Sequence, residues 1–321
     1  MAGANLPAKK YTKTSPTVTR LSFEASGSGT KFIDIGLALS AINRKFFRQG
    51  VYYYVNSVEV YNNETGVLDM HTLPDSWVTK NAWNRGFQLF QKMNSMVNPP
   101  LSNVGRPKYH DFKVYFNTMH RTNGSLLPST YDVNSSAYQR TADDWVYSEF
   151  VSADSDGDMD PQDHSQVNQE ADNFNVHMLG GHSGSPDNWN SVGLIKSYAE
   201  SRNTVQITSP NDTQIDVTDP LMNIFDFSSE EQMNDIVTNL MEDNDAPPYD
   251  YNNYIGEINA SMQHVARIGT EQGVGRIGRA SGFCVPFGLL CIDPDASITT
   301  AYRVVLNLAV GTYHGVYAER A

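Results

Sequence analysis

The stretch AYRVVLNLAV, residues 301–310, carries apolar side chains at alternate positions. Val304, Leu306, Leu308 and Val310 form one series, and they alternate with a second series, Arg303, Val305, Asn307 and Ala309. Successive side chains of a β-strand point to opposite faces of its sheet, so this period of two predicts a strand with one buried face. A buried face needs a second layer to cover it, and the pattern therefore favours a β-sandwich.

Similar strand signals occur along most of the chain, which is rich in β-branched and aromatic residues and has 17 Tyr. The predicted strands are residues 31–37, 51–61, 112–116, 145–151, 192–198, 204–208, 285–292 and the last run that includes 301–310. About eight strands with unequal spacing predict an all-β fold. A jelly-roll β-sandwich with one or two inserted helices fits this pattern better than a regular βαβ alternation.

Two segments have a helical period. The first follows Pro74, where Asp75 or Ser76 is suited to cap a helix, and it ends before Pro99. Its apolar residues recur at steps of three and four: Trp83, Phe87, Phe90, Met93 and Val97. The second helix begins with a capping box, Ser228 to Glu231, and has an apolar stripe that ends at Met241. Stripes of this kind are typical of core packing, so neither is assigned a cofactor.

Charge is sorted along the chain. Residues 1–122 hold fifteen Lys/Arg against seven Asp/Glu, residues 123–262 hold three against twenty-five, and residues 263–321 hold five against four. A division of this size predicts two surfaces in different environments, one of them able to face a polyanion. We predict a flexible basic N-terminal arm over residues 1–28 and a single jelly-roll domain over 29–321, with long acidic loop insertions within 123–262.

The early cations form a candidate nucleic-acid-facing set. The first fifty residues hold eight basic side chains against two acidic ones. Such cations bind phosphates through counterion release without reading bases, and a solvated basic face is the alternative interpretation. The set is Lys9, Lys10, Lys13, Arg20, Lys31, Arg44, Lys45 and Arg48.

The run DSDGDMDPQD provides a candidate metal site, because Asp154, Asp156, Asp158 and Asp160 supply hard oxygen ligands at alternate positions. The spacing is not that of an EF-hand, whose glycine and bidentate glutamate positions hold Met159 and Ser165 here. Calcium is the ion that such ligands suit, and a solvated acidic loop is the alternative. No other cofactor is expected.

Catalytic motifs are incomplete. Ser183 lies in the run HMLGGHSGS, within one residue of a nucleophile elbow, and His264 or His314 is available as a base, yet Pro186 follows where a helix is required. Residues 273–278 satisfy a Gly-x-Gly-x-x-Gly pattern without room for the helix that a dinucleotide site needs. We therefore predict that the chain is not an enzyme. The longest apolar run, residues 283–292, is shorter than the roughly 20 residues of a membrane span.

Three stretches carry a resemblance: NRKFFRQGVYYYV (43–55), LPDSWVTKNAWNRGFQLFQKM (73–93) and VPFGLLCIDP (285–294) with the strand after it. The chain resembles the capsid proteins of small circular single-stranded DNA (CRESS-DNA) viruses, including smacovirus-like and marine environmental ones. The resemblance implies a jelly-roll subunit with an inserted helix after its second strand, an inward N-terminal arm and an icosahedral shell.

We therefore predict a structural capsid protein, localised in the virion. It self-assembles as a homo-oligomer into a virus-like particle and contacts nucleic acid, as ssDNA, without sequence specificity. Three alternatives stay open at this point. They are a double jelly-roll phage capsid subunit, a glycan-binding β-sandwich spike module, and a serine hydrolase that uses Ser183.

Overall fold

The structure is a computed structural model, and it describes residues 16–97, 109–134, 136–141, 144–152, 172–185, 188–202, 254–258, 261–271 and 277–320. These ranges hold sixteen strands, four α-helices and a 3₁₀ turn at Pro286–Gly288. The strands are Arg20–Ser26 (β1), Lys31–Asp34 (β2), Val51–Tyr61 (β3), Gly66–Thr72 (β4), Ser129–Tyr131 (β5), Ala137–Gln139 (β6), Glu149–Ser152 (β7), Asp172–His177 (β8), Ser183–Ser185 (β9), Asn188–Gly193 (β10), Gln263–Thr270 (β11), Ile277–Val285 (β12), Leu289–Pro294 (β13), Ala301–Leu308 (β14), Val310–Tyr313 (β15) and Ala318–Arg320 (β16). The helices are Ile35–Asn43 (α1), Trp77–Val97 (α2), Thr118–Asn123 (α3) and Leu194–Arg202 (α4).

Nine of these strands form two antiparallel sheets. The first sheet has the order β1-β14-β3-β12, with β16 added beside β3, and the second has the order β11-β4-β13-β2. Along the chain, β1 and β3 lie in the first sheet, whereas β2 and β4 lie in the second. After β11, the strands alternate again between the sheets. The chain thus crosses from sheet to sheet at most of its connections.

The two sheets share one apolar core. Phe23, Val58 and Leu306 from the first sheet and Leu68 and Ile292 from the second are fully buried in the same cluster. Burial of each side chain of this size contributes about 1.5 to 3 kcal/mol to the hydrophobic stabilisation. The predicted all-β sandwich is confirmed.

Several predicted strands agree with the structure. The strand predicted at 51–61 has the bounds of β3, and the alternating last run contains β14, whose even-numbered residues from Tyr302 to Leu308 are buried. Residues 112–116 have the predicted burial of Phe112, Val114 and Phe116, although this segment joins its neighbours only through scattered backbone hydrogen bonds and one isolated bridge at Tyr115.

Other predictions are wrong. The predicted flexible arm, residues 1–28, includes β1, because Leu21, Phe23 and Ala25 bury their side chains in the core. The segment predicted as a strand at 192–198 changes at Leu194 from β10 to helix α4. The segment predicted at 31–37 likewise ends as a strand at Asp34, whose Oδ1 accepts a hydrogen bond from Leu37 N at 3.2 Å and caps helix α1.

The first predicted helix is α2, and its N-terminal signal is confirmed at Ser76, whose Oγ accepts from Thr79 N at 3.2 Å. This helix follows β4, the fourth strand of the sandwich. The helix that the resemblance implies after the second strand has its counterpart in α1, which directly follows β2. The helix predicted from Ser228 and the strand predicted at 204–208 lie outside the described residues.

Residues 73–262 form an insertion between β4 and β11, which are hydrogen-bonded neighbours with Thr72 opposite Gln263. The described part of the insertion contains a sheet of order β7-β8-β10-β9 and the β5–β6 pair. A second apolar cluster joins the outer face of the second sheet, at Phe32 and Cys291, to Trp83 of α2 and Leu194 of α4. The insertion therefore covers one face of the sandwich.

Among the helices in these ranges, none combines the length and the apolar character that crossing a membrane requires.

Candidate nucleic-acid interface

Four of the predicted genome-facing cations lie at one end of the sandwich. Arg20 begins β1, and Arg44, Lys45 and Arg48 lie in the connection from α1 to β3. The segment before β1 is fixed to the end of α1, because Asn43 Oδ1 accepts from Val18 N at 2.7 Å and Asn43 Nδ2 donates to Val18 O at 3.2 Å.

The fifth described cation lies elsewhere. Lys31 begins β2, five residues beyond Ser26 at the far end of β1, so it lies away from Arg20, which begins that strand. Lys9, Lys10 and Lys13 lie outside the described residues. The structure thus gathers four predicted cations and separates one.

The connection that carries Arg44 and Arg48 has a defined conformation. Arg44 adopts the left-handed conformation, with φ 52°, and its backbone N donates to Ser40 O at 2.9 Å, which ends helix α1. Three residues later, Phe47 is fully buried and packs edge-on against the rings of Tyr313 and His314. The buried phenylalanine anchors the connection, while Arg44 stays exposed.

The cations at this end differ in their electrostatic environment. Arg48 makes a bidentate ion pair with Asp111, at 2.9 and 3.1 Å, and Arg20 pairs with Glu59 at 2.8 Å. Lys45 Nζ donates to Pro16 O at 3.2 Å. The charge count of the sequence treats these side chains as equal, but two of them are compensated by carboxylates within the same chain. Arg44, by contrast, is exposed and pairs with no carboxylate among the described residues, so it contributes uncompensated positive potential at this end.

The outer face of the first sheet is close to neutral. Arg303 pairs with Glu24 at 3.1 Å and lies over the ring of Tyr131, with its guanidinium carbon 4.0 Å from the ring centroid. Arg279 of β12 is the register partner of Glu59, which also accepts from Arg20. A phosphate backbone would meet alternating charges here, so the end of the sandwich is the better-suited surface.

A cleft of about 760 Å³ opens at the same end. One wall is helix α2, which contributes Trp83, Phe87 and three amide side chains, and the other is the β15–β16 hairpin, which contributes Tyr313 and Arg320. The Arg48–Asp111 pair lies between the walls. No local sequence pattern indicates this cleft, because its residues come from four separate segments of the chain.

The acidic run that holds Asp154, Asp156, Asp158 and Asp160 lies outside the described residues. Within the ranges that the structure covers, the His, Cys, Asp and Glu side chains form no group of three suited to a metal ion. The calcium site stays a prediction.

The candidate hydrolase residues do not meet. Ser183 lies in β9 opposite Ser191, whereas His264 binds Asp69 at 3.1 Å on the second sheet and His314 packs on Phe47 at the end of the sandwich. Strand β10 follows Ser183, separated from β9 by two residues, where an elbow would turn into a helix. Gly278, the last glycine of the motif at 273–278, lies in a strand, β12, where a dinucleotide site would need a helix.

A different serine–histidine pair is present, and no motif in the sequence indicates it. His177 and Ser191 are fully buried, and Ser191 Oγ lies 2.7 Å from His177 Nδ1. His177 Nε2 lies 3.1 Å from the carbonyl of Gly181, so Nε2 carries the proton and the serine hydroxyl donates to Nδ1. Burial lowers the pKa of His177 to about 4. Because the pair has no access to solvent, its hydrogen bonds satisfy two buried polar side chains and stabilise the contact between β8 and β10.

A buried chain of hydrogen bonds connects the insertion to the sandwich. His120 Nδ1 accepts from Phe116 N, so Nε2 is the protonated nitrogen and donates to Ser125 Oγ at 2.6 Å. Ser125 is 3.0 Å from Tyr147 Oη, which donates to Asp34 Oδ2 at 3.4 Å. Burial lowers the pKa of His120 to about 3 and raises the pKa of Asp34 to about 6.

This network has the residue types of a catalytic triad but the wrong tautomer. A general base needs an unprotonated nitrogen facing the serine, and His120 presents its proton there. Gln49 completes the network, since its Nε2 donates to Asp34 Oδ2 at 2.9 Å and its Oε1 accepts from Val114 N. The arrangement holds β2 against the insertion.

Comparisons of this chain with models of protein families, with curated proteins and with solved structures find no match.

Proposed function

We propose that the chain is a structural capsid subunit whose sandwich is a jelly roll, and that copies of it assemble into an icosahedral shell around a nucleic-acid genome. The observation that carries the proposal is the strand order. Numbered along the sandwich alone, the first sheet reads 1-8-3-6 and the second reads 5-4-7-2. Viral capsid domains, lectin domains and cupins use eight-stranded sandwiches of this jelly-roll kind.

The surface chemistry favours a capsid among these three uses. Inward-facing positions of both sheets are filled by apolar side chains such as Val60, Met70 and Ile268, so the space between them is a packed core. The basic residues Arg44 and Lys45 stand at one end, beside the segment that leads back to Lys13, Lys10 and Lys9. The charge distribution predicts two surfaces in different environments. In this proposal the basic end of the sandwich faces a polyanion, and the strongly acidic insertion forms the other surface.

The test is particle formation by the purified full chain, followed by negative-stain electron microscopy over a range of salt and calcium concentrations. We expect closed particles of uniform size that contain nucleic acid. Monomers or trimers under every condition would overturn the proposal. Retention on a glycan array without particles would instead favour a lectin, and labelling of Ser183 by a fluorophosphonate probe would favour a hydrolase.

The genome contact has its own test. A triple variant, Lys9→Ala with Lys10→Ala and Lys13→Ala, should reduce the nucleic acid that copurifies with the particles, because each lysine releases counterions from phosphate. A triple variant of Lys80, Lys92 and Arg85 to alanine removes the same charge from helix α2 and its N-terminal turn and serves as the control. Equal nucleic-acid content in the two variants would contradict the role of the arm.

A further inference from the structure

The cleft between α2 and the β15–β16 hairpin is built from three kinds of side chain. Phe87 and Tyr313 are half-buried rings on its two walls, and the buried Trp83 and Val51 lie beneath them. Arg320 is exposed at the rim. A flat apolar surface with polar groups around it suits a planar ligand better than a purely aliphatic one.

The amide groups of the cleft share one helix face. Asn84, Gln88 and Gln91 are spaced by four and three residues on α2, which brings them to the same side as Phe87. Each amide offers two donor hydrogens and an acceptor oxygen. This combination can meet a heterocycle edge that presents both donors and acceptors, as the edges of nucleic-acid bases do.

The cleft also carries positive charge. Arg48 is neutralised by Asp111, but Arg320 has no ion-pair partner among the residues that the structure describes. Guanidinium groups are well suited to phosphate because their donors are arranged in a fork. The volume of about 760 Å³ falls in the range of roughly 300 to 1,000 Å³ that small-molecule sites occupy.

The position of the cleft indicates where its ligand comes from. Thr17 Oγ1 donates to the carbonyl of His314, the residue after Tyr313 in the cleft wall. The chain before Pro16, which carries Lys9, Lys10 and Lys13, therefore joins the sandwich beside the cleft. A nucleic-acid strand drawn to these lysines would pass the cleft opening.

From these observations we propose that the cleft binds one unpaired nucleotide of a single-stranded nucleic acid, with its base against Phe87 or Tyr313, its edge on the α2 amides and its phosphate on Arg320. The proposal rests on the proposed function, since it names a site for the genome inside the shell. Stacking on an aromatic ring tolerates every base, so the site holds the strand without selecting a sequence.

The affinity test uses the full chain and a decathymidylate labelled with 5′-fluorescein, measured by fluorescence anisotropy. The Arg320→Ala variant and a double variant, Asn84→Ala with Gln88→Ala, should each weaken binding at least about fivefold. The matched control is Arg85→Ala, which removes an exposed charge from the same helix outside the cleft. It should change the affinity less than twofold. Equal affinities for the cleft variants and the control, with unchanged thermal unfolding, would overturn the proposal.

Photocrosslinking locates the contact independently of affinity. An oligonucleotide that contains 5-iododeoxyuridine should crosslink to peptides that include Phe87 or Tyr313, as mapped by mass spectrometry. Crosslinks confined to residues 1–20 would place the strand on the arm alone and refute the site. Binding of saccharides that is lost in the Asn84→Ala and Gln88→Ala variant, with oligonucleotide affinity unchanged, would refute it as well.

The two proposals fail in different ways. If the wild-type chain neither forms particles nor binds the oligonucleotide, both are wrong. If particles form and the oligonucleotide binds but the cleft variants behave like Arg85→Ala, the capsid proposal stands and the cleft proposal is wrong.

Discussion

The sandwich and the insertion are stabilised by different interactions. In the sandwich, the buried side chains of facing strands are almost all apolar, as at Phe23, Val58 and Leu306. The insertion buries polar groups as well, including the fully buried His120, His177 and Ser191. The stabilisation that apolar burial provides does not depend on pH, whereas the free energy of burying a neutral histidine does. The two regions should therefore respond differently to cavities and to acid.

The largest expected effect is that of a cavity in the sandwich. Phe23→Ala should lower the free energy of unfolding by about 4 kcal/mol, because it removes a fully buried ring from the core between the sheets. Phe150→Ala in the insertion removes a half-buried ring that packs on Phe174, and it should cost about half as much. Chemical denaturation measures both, and a greater loss for Phe150→Ala would reverse the proposed ranking of the two regions.

Acid should destabilise the chain through the insertion. His120 and His177 have pKa values lowered to about 3 and about 4, so below pH 6.5 the unfolded chain binds protons that the folded chain does not. Between pH 6.5 and 4, each histidine costs about 3 kcal/mol of stability. Asp34 acts in the opposite sense.

The pKa of Asp34 is raised to about 6, so its protonation as the pH falls returns about 2 kcal/mol. The net loss of unfolding free energy from pH 6.5 to 4 is about 4 kcal/mol. As a control, His177→Asn should reduce this pH dependence by about 3 kcal/mol, whatever it costs at neutral pH. If the wild-type chain lost no stability between these two pH values, or if His177→Asn lost as much as the wild type, the lowered histidine pKa values would be contradicted.

The smallest effect concerns the end of α1. Arg44 pays the steric cost of a left-handed conformation, about 1 to 2 kcal/mol for a residue with a Cβ. Arg44→Gly removes that cost, although glycine loses more chain entropy on folding, and it should be about 0.5 to 1 kcal/mol more stable than Arg44→Ala. Both variants lose the same charge and should bind less nucleic acid to the same extent. If Arg44→Ala were the more stable of the two, the left-handed conformation would be wrong.

The sequence predicts the sandwich better than the insertion, and the reason is physical. Strand β14 has the predicted alternation, because one of its faces lies on an apolar core and the period of two reflects that face. Strand β3 has the predicted bounds because its β-branched and aromatic residues favour a strand. The apolar run from Ile35 to Leu39 carries no such period, and its conversion to helix α1 depends on the cap at Asp34. Asp34, a residue type favoured at helix N-caps, is a local signal for this helix.

The candidate site was only partly predictable. Local sequence identifies Arg44, Lys45 and Arg48 as basic, but it does not reveal that Arg48 is paired with Asp111, which is 63 residues away. The cleft is still harder to predict from the sequence, since Trp83 and Tyr313 meet only after β3, α2 and the last hairpin have come together. Contacts between residues so far apart in the sequence depend on the topology of the fold, and local sequence patterns do not indicate it.

The pairing of Thr72 with Gln263 has a consequence for how such a chain can evolve. The ends of the insertion are neighbouring residues of adjacent strands, so the sandwich fixes the distance between them whatever lies in the intervening residues. The entropy of closing a loop grows only with the logarithm of its length. Sequences of very different size can therefore be exchanged at this point while the register of the strands is kept, provided that they cover Phe32 and Cys291. The surface of the chain can diversify there independently of the sandwich.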